Sequence, residues 1–295
     1  AAGAQESQRI GIPGELEDLE GFFYGLKFLR DVKLGKEINV GRRVAIVGGG
    51  ALSLDVAHTS LRLGADEVSV YEMRSRGEMI ASDEEYAEAV EEGIKLNFLT
   101  SPTRILSDNW KVTGLQCIRM ELGEPTVSGR GRPQPITGSE FSIEADTVIV
   151  AVGQAPDLSF LPRDSALERT RWETLSVDSN SLSTNIPGVF AGGDFVRGPG
   201  LIVQAIAEGR RAAIAIDKYL RNDSSRVEMY DLRKEMPVEI GSSEVEETWE
   251  TQPRLEMPKL TVKERKRSFE EIEQGFSEEV ARQEAKRCLR CDLEI

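Results

Sequence analysis

A glycine-rich turn that follows an apolar run constrains this chain more than any other feature. Residues 44–47 read Val-Ala-Ile-Val, which predicts a strand buried on both faces of a parallel sheet, and three glycines follow directly. The spacing Gly48-x-Gly50-x-x-Ser53 matches the fingerprint of a dinucleotide-binding turn with a small residue in its third position. Gly48 permits the tight turn, Gly50 lets the backbone approach a pyrophosphate, and Ser53 keeps helix and strand close.

A helix is expected after this turn, with its free N–H groups and positive dipole end facing the phosphates. An apolar stripe supports the helix, and Gly64 ends it. The stripe consists of Leu54, Ala57, Leu61 and Leu63. The predicted phosphate-binding residues are Gly48, Gly49, Gly50, Ala51, Leu52 and Ser53.

An acidic residue lies where the fingerprint requires one, about twenty residues after the turn. The alternating run 68–71 predicts the second strand and ends at Glu72, whose carboxylate is placed to accept hydrogen bonds from a ribose 2′-OH. The alternative is a glycine-rich strand-to-helix turn that binds no ligand. Because strand, helix and acid occur in the expected order, we favour the nucleotide site.

Two arginines, Arg74 and Arg76, lie in the loop 73–81 that follows this acid. They are either solvated loop charges or ligands of a cofactor 2′-phosphate, and the sequence does not separate these alternatives. A charged helix is predicted at 82–93, where Ser82 and Glu85 have the spacing of a capping box.

The chain from 22 to 153 otherwise alternates between helical and strand patterns. The pattern predicts a helix at 22–32, a strand at 94–99, antiparallel strands at 103–106, 112–121 and 141–143, a polar loop at 123–138 and a buried strand at 147–153. An antiparallel meander of this kind commonly covers one face of a parallel sheet. Cys117 alternates with apolar neighbours, so we expect a buried structural thiol.

Charge and composition exclude several classes of protein. The 295 residues carry 51 Asp and Glu against 37 Lys and Arg, a net charge of −14, which disfavours nucleic acid and anionic membranes as partners. No apolar run is long enough to insert into a membrane and no leader is present, so a cytoplasmic location is expected. The single histidine, His58, is expected to be a helix residue, and it excludes a zinc site built from several histidines. Three cysteines do not form a disulfide framework.

A second glycine-rich stretch occurs near residue 190. Residues 188–194 predict a strand that delivers Asp194 at its carboxyl end, where sheets of this type bind ligands. Gly198-Pro199-Gly200 follows, and a long helix with many small residues is predicted at 201–220.

These motifs in combination resemble a known family. Ala191-Gly192-Gly193-Asp194, Gly198-Pro199 and the segment 204–213 resemble the second flavin-binding motif of flavoproteins with two dinucleotide-binding domains. Together with residues 47–50, 74–79 and 151–154, they are similar to the glutamate synthase small (beta) subunit-like branch of the FAD-dependent pyridine nucleotide oxidoreductases. The resemblance implies an α/β fold, namely a Rossmann-like two-dinucleotide-binding-domain flavoprotein fold.

The resemblance also implies an activity. NAD(P)H would pass hydride to FAD, and electrons would leave to iron–sulfur clusters, a partner reductase subunit or a ferredoxin. The alternative is a non-catalytic nucleotide-binding module with a regulatory or assembly role. The further cofactor contacts that the resemblance implies are Val152, Gly153, Gln154, Gly193, Asp194, Leu201, Ile202 and Ala205.

A division of the chain follows from the same resemblance. We expect the end of the first half of the FAD domain at 1–20, a complete nicotinamide domain at 21–155, the second half of the FAD domain at 156–222, and a linker with a helical segment at 223–295. The N-terminal glycine-rich FAD loop of the family is absent here, so we expect an N-terminally truncated chain.

Departures from the family pattern bear on the cofactor. Members that use NADPH usually carry an arginine pair after the second strand, and in this chain the first position of that pair is Met73, which Glu72 precedes. Because Glu72 would repel a 2′-phosphate, NAD(H) is favoured over NADP(H). Ala51-Leu52-Ser53 replaces the usual Asn-Thr-Ala, and Leu201 replaces the usual threonine, so backbone N–H groups must supply more of the contacts.

The segment 223–295 differs in composition from the rest of the chain. Acidic residues and prolines between 239 and 258 indicate an extended linker, and short helices are predicted to start at Ser268 and Ser277.

Two cysteines near the end of the chain are candidate metal ligands. Cys288 and Cys291 lie in a segment that resembles the one leading into iron–sulfur ligands in the same family. A [4Fe–4S] cluster needs four ligands, so the others would come from outside this segment. The alternative is a pair of free thiols.

Overall fold

The computed structural model describes residues 3–15, 18–125, 131–162, 164–223 and 253–287. The chain divides into two units, Ala1–Met229 and Tyr230–Ile295. The described strands are β1 (Glu6–Ser7), β2 (Phe22–Tyr24), β3 (Arg43–Val47), β4 (Glu67–Tyr71), β5 (Lys95–Asn97), β6 (Thr100–Asp108), β7 (Lys111–Pro125), β8 (Gly131–Pro135), β9 (Phe141–Glu144), β10 (Thr147–Val150) and β11 (Gln154–Ala155). The described helices are α1 (Gly25–Lys33), α2 (Ala51–Arg62), α3 (Asp83–Glu91), α4 (Asp194–Arg197), α5 (Ile202–Leu220), α6 (Val262–Arg265) and α7 (Glu278–Ala285), with a 3-10 turn at Arg76–Glu78.

A parallel sheet of five strands, in the order β2–β10–β3–β4–β5, forms the centre of the first unit. One face packs on α1 and α2 through side chains such as Ile46, Leu54 and Ile149. The other face packs on an antiparallel sheet of β6, β7, β8 and β9, with Leu115 and Val148 at the contact. Because both faces are covered, β10 is buried at every position, as its apolar sequence predicts.

Most elements predicted around the nucleotide turn are confirmed. The strands predicted at 44–47, 68–71 and 147–153 are present as parallel neighbours, although the last ends at Val150, and α2 follows the glycines. The meander is also present. Ser82 caps α3, and its box with Glu85 is formed in both directions.

Four predicted segments are wrong in type or too long. Residues 22–24 form β2, paired with β10, and the helix starts only at Gly25. The strand predicted at 94–99 is limited to β5, because Leu99 has a φ of 50°. The loop predicted at 123–138 contains the end of β7 and all of β8, which pair across register shifts. The stretch 188–194 is not a strand, since Gly188 and Gly193 have positive φ angles, and only an isolated bridge joins Ser183 and Phe190.

A two-stranded antiparallel ribbon of β1 and β11 adjoins the parallel sheet. Beyond it, the described residues up to 193 form turns and isolated bridges, followed by α4 and the 19-residue helix α5. None of the described helices has both the length and the apolar composition needed to cross a membrane.

The second unit contains two short capped helices. Thr261 caps α6 and Ser277 caps α7, as predicted for Ser277. The helix predicted at Ser268 is absent: its hydroxyl accepts the amide of Glu270 in a turn, and the helical turn lies earlier, at α6.

Candidate functional site

The glycine turn lies between the carboxyl end of β3 and the start of α2. Gly48 has a φ of 137°, and a Cβ there would collide with the carbonyl group of Ala151. Gly50 is the N-cap of α2, and a Cβ built on it meets no atom within 4 Å. Ser53 is fully buried, and its hydroxyl donates to the Gly50 carbonyl at 2.6 Å. Gly48 therefore serves the fold, whereas Gly50 faces open space at a helix N-terminus, which suits a phosphate group.

The first turn of α2 has little side-chain cover. Ala51 is exposed and Leu52 is partly buried. The N–H groups of a first helical turn have no acceptor within the helix and point out of its end. The backbone at Gly50, Ala51 and Leu52 can therefore donate to an anion without side-chain hydroxyls.

Glu72 follows β4 at the same edge of the sheet. Its side chain is turned inward: the residue is 6% exposed, and a Cβ on Gly49 would overlap the carboxylate. One carboxylate oxygen accepts the amide of Arg74 at 2.9 Å and lies 3.8 Å from the guanidinium of the same residue. Glu72 thus connects the glycine turn with the arginine loop, and Arg74 balances its charge.

Arg76 has a different environment from Arg74. Its guanidinium carbon lies 4.0 Å from the ring centroid of Tyr86, and it also pairs with Asp83 at the start of α3. The loop is stabilised by Glu78, which accepts from the Ser75 hydroxyl at 2.9 Å. Sequence reasoning missed Tyr86 and Asp83, although both lie within the first five residues after the predicted cap at Ser82.

The residues after β10 complete this edge. Ala151 donates to the Val47 carbonyl at 2.8 Å, which keeps the chain beside the glycine turn. Val152, Gly153 and Gln154 come next, and Gly153 has a φ of 128°. Gln8 donates its backbone amide to Gly153 and its side-chain amide to the Gln154 carbonyl, both at 3.0 Å. The structure therefore places residues 48–53, 72 and 152–154 at three adjacent strand ends, the edge where open α/β sheets bind ligands.

A second group of predicted residues lies around α4 and α5. Gly193 has a φ of 66° and precedes Asp194, the first residue of α4, and a Cβ on Gly193 would approach the Cβ of Ala205 to 3.7 Å. Leu201 and Ile202, at the start of α5, are exposed. Gly193 and Asp194 thus lie at the start of α4 and Leu201, Ile202 and Ala205 at the start of α5, and the two segments approach each other at Gly193 and Ala205.

Glu208 holds this group together, although the sequence motif assigned it no role. The residue is 2% exposed, and one carboxylate oxygen accepts the Gly193 amide at 2.5 Å. The other oxygen pairs with Arg197. The carboxylate therefore links α5 to both ends of α4.

The surroundings of His58 and Cys117 indicate that both residues stabilise the fold. Nδ1 of His58 lies 2.6 Å from the carboxylate of Glu92, which is buried and also lies 3.7 Å from Arg62. Asp55 lies on α2, the same helix as His58. Burial and the nearby charge of Glu85 raise the pKa of Asp55. Cys117 is completely buried, and burial raises the pKa of its thiol to about 12, so the predicted burial of this thiol is confirmed.

The iron–sulfur prediction stays untested. Cys288 and Cys291 lie outside the described residues. In the described part of the chain, no group of three or more His, Cys, Asp or Glu side chains is arranged to hold a metal ion.

Comparison with known proteins identifies close relatives. The family model described as pyridine nucleotide-disulphide oxidoreductase matches residues 1–209. The chain is 43% identical to the NADP(+)-dependent formate dehydrogenase subunit beta of Moorella thermoacetica, covering 99% of this chain and 41% of that protein. It is 38% identical to the NADPH-Fe(3+) oxidoreductase subunit beta of Geobacter sulfurreducens, covering 99% and 47%. It is 42% identical to the glutamate synthase [NADPH] small chain of Azospirillum brasilense, covering 75% and 48%. The chain thus spans less than half the length of each of these relatives.

Solved structures share the fold. Thioredoxin reductase from T. acidophilum matches with a TM-score of 0.57 and 27% identity, over 75% of this chain and 64% of that one. The Mycobacterium tuberculosis oxidoreductase FprA in complex with NADPH matches with a TM-score of 0.61 and 19% identity, over 78% and 65%.

Proposed function

The chain belongs to the pyridine nucleotide-disulphide oxidoreductase family, and from that premise we propose that it binds NADP(H) and forms part of a flavoprotein oxidoreductase. The family and the two-dinucleotide-binding-domain fold predicted from the sequence are confirmed. The observation that carries the proposal is the shared edge of three neighbouring strands, where the open turn at Gly50, the acid Glu72 and the segment 152–154 adjoin.

In this proposal the protein positions the reactants. The α2 N-terminus and the amide groups from Gly50 to Leu52 hold the pyrophosphate, and residues 152–154 border the nicotinamide side. The turn at Gly193 and the start of α5 contact the flavin. Bound FAD supplies hydride acceptance from the nicotinamide and one-electron transfer to an acceptor. Leu201 and Ile202, both exposed at the start of α5, would cover the apolar side of that site when FAD is bound.

The preference for NAD(H) that we predicted from Glu72 is not supported. The names of three relatives specify NADP(+) or NADPH. The physical assumption also fails, because Glu72 is turned towards Gly49 and its charge is balanced by Arg74. We therefore propose NADP(H) as the nucleotide, with Arg74 and Arg76 as the 2′-phosphate ligands, since guanidinium groups pair well with phosphate.

Binding measurements on this chain test the nucleotide assignment. Calorimetric titration is expected to give a Kd for NADPH about tenfold lower than that for NADH, the size of one charge-assisted contact. Arg74→Ala is expected to remove most of this difference and to leave the Kd for NADH nearly unchanged. Tighter binding of NADH than of NADPH by the wild-type chain would contradict the assignment.

The acceptor is expected to be a protein carrying iron–sulfur clusters, either a partner subunit or a ferredoxin. Two relatives are named as beta subunits of multi-subunit enzymes, which supports a subunit partner. The visible spectrum of the complete protein and its bleaching by NADPH test the flavoprotein assignment. Absence of flavin and of bleaching would favour the non-catalytic module. A cytoplasmic location stays a prediction.

A further inference from the structure

The guanidinium of Arg76 lies over an aromatic ring that packs against a second ring. The guanidinium carbon is 4.0 Å from the centroid of the Tyr86 ring. The ring of Tyr86 packs against Phe98, with centroids 6.3 Å apart and an interplanar angle of 33°. The position of the guanidinium is therefore supported by side chains of α3 and of the segment after β5.

Helix α3 is a firm support for this ring. Its N-terminus is closed by the box of Ser82 and Glu85, with hydrogen bonds of 2.7 and 3.1 Å. The backbone amide of Tyr86 donates to the Ser82 carbonyl at 3.0 Å, and Ala89, on the same helix, is fully buried in the core. Tyr86 is thus anchored both by the capped first turn and by the packing of its helix.

A competing anion lies next to the same guanidinium. Asp83, the first residue of α3, pairs with Arg76, and its side chain is 93% exposed. An exposed ion pair of this kind is weak and exchanges easily with another anion. Tyr86 therefore lies under the guanidinium of Arg76, while Asp83 pairs with one of its N–H groups as an anion that a phosphate can replace.

We propose that Tyr86 and Asp83 set the selectivity for the 2′-phosphate: Tyr86 as the positioning residue that orients Arg76, and Asp83 as the internal competitor that the phosphate displaces. This inference rests on the proposed NADP(H) site. A guanidinium that is already positioned loses less conformational freedom on binding, and Arg76 lies in the loop directly after Glu72, whose carboxylate lies against Gly49 of the glycine turn. The guanidinium of Arg76, which now contacts Asp83 through one nitrogen, then pairs with the phosphate.

The inference is tested by titrating variants of this chain with NADPH and with NADH. Tyr86→Leu removes the ring face and is expected to weaken NADPH binding about fivefold, the range of one partly exposed cation–π contact, with NADH unchanged. Tyr86→Phe keeps the ring and is expected to retain wild-type affinities. Asp83→Asn removes the competitor and is expected to strengthen NADPH binding about threefold, with NADH unchanged.

Two matched variants serve as controls. Trp172→Leu removes the ring of an exposed arginine–aromatic pair with Arg171, far along the chain from the nucleotide residues. Asp66→Asn removes the same charge as Asp83→Asn, but from an exposed pair with Arg42 at the amino edge of the sheet. Neither is expected to change the ratio of the two dissociation constants.

Several outcomes would overturn the inference. Equal weakening of NADPH and NADH by Tyr86→Leu would show a purely structural role, and a preference for NADPH as large in that variant as in the wild-type chain would show no role in selectivity. If Tyr86→Leu does not fold, the Asp83→Asn variant tests the inference, because the side chain of Asp83 is exposed and its replacement leaves the fold intact. Unchanged or weaker NADPH binding by Asp83→Asn would refute the role of Asp83 as a competitor of the phosphate. A wild-type chain without a preference for NADPH refutes the proposed nucleotide itself, and this inference with it.

Discussion

Two glycines of the same turn have different physical roles. Gly48 has a backbone conformation that L-residues rarely adopt, and it lies against the Ala151 carbonyl. Gly50 has an extended backbone with a φ of −100°, and no atom is near its missing side chain. The same type of substitution should therefore disturb the fold at the first position and ligand binding at the second.

We predict that Gly48→Ala lowers the free energy of unfolding by about 3 kcal/mol, from strain and overlap. Gly50→Val should cost about 1 kcal/mol or less, the difference between N-cap residues, yet weaken NADPH binding at least about tenfold, because the side chain fills the space of the phosphates. Urea unfolding and calorimetry measure the two effects. Unaltered affinity in Gly50→Val would refute the phosphate-binding turn.

At the scale of elements, Asp146 connects β3 with the start of β10. Its carboxylate accepts the amides of Arg42 and Arg43 at 2.9 and 2.8 Å, and the Arg43 guanidinium at 3.2 Å. Burial alone would raise the pKa of Asp146, but these hydrogen bonds together lower it below its ordinary value. The ionised form is therefore the one that stabilises the folded protein.

The sign of the pH dependence follows from this lowered pKa. Asp146→Asn should lower the free energy of unfolding by about 1 kcal/mol at pH 7, a modest value because the side chain is one-third exposed. The difference from wild type should persist above the ordinary carboxyl pKa of about 4 and shrink as the pH falls through the lowered value. Urea unfolding between pH 3 and pH 7 measures it, and a difference that grows at low pH would contradict the assigned contacts.

Glu208 connects two helices through a buried carboxylate. Glu208→Ala should lower the free energy of unfolding by about 3 kcal/mol, because the Gly193 amide loses its acceptor and Arg197 loses its partner. Glu208→Gln keeps one acceptor oxygen and should cost less. Asp217→Ala, which breaks an exposed pair with Arg221 on the same helix, is the control and should change stability by less than about 0.5 kcal/mol. Equal losses for all three variants would show that burial of Glu208 is irrelevant.

At the scale of the whole first unit, hydrogen-bonded strand pairing is unevenly distributed along the chain. Strands β3, β4 and β10 pair on both sides and are covered on both faces, whereas residues 164–191 are joined by turns and isolated bridges. Backbone amides that are hydrogen-bonded within buried, fully paired strands exchange with solvent only when the whole unit unfolds. Hydrogen exchange followed by mass spectrometry should therefore find the slowest amides in these three strands and faster exchange at 164–191. Equal protection in both regions would contradict this distribution of stability.

The local order of strand, glycine turn, helix, strand and acid was determined by sequence alone, as were the cap at Ser82 and the burial of Cys117. These features depend on the periodicity of apolar residues and on backbone preferences of single residues, which act over a few positions. The carboxyl-edge location of Gly50, Glu72 and Gly153 also follows, because parallel strands place their ends together.

Only the tertiary structure decided the features that depend on distant partners. Residues 22–24 have a helical pattern, yet they form a strand because β10, more than 120 residues later, pairs with them. Glu72 turns inward because Gly49 leaves room and Arg74 donates to it, and Arg76 lies on Tyr86 because α3 packs beside the loop. The direction of a side chain and the pairing of a short strand depend on which surfaces meet after the chain has folded, and no window of local sequence contains that information.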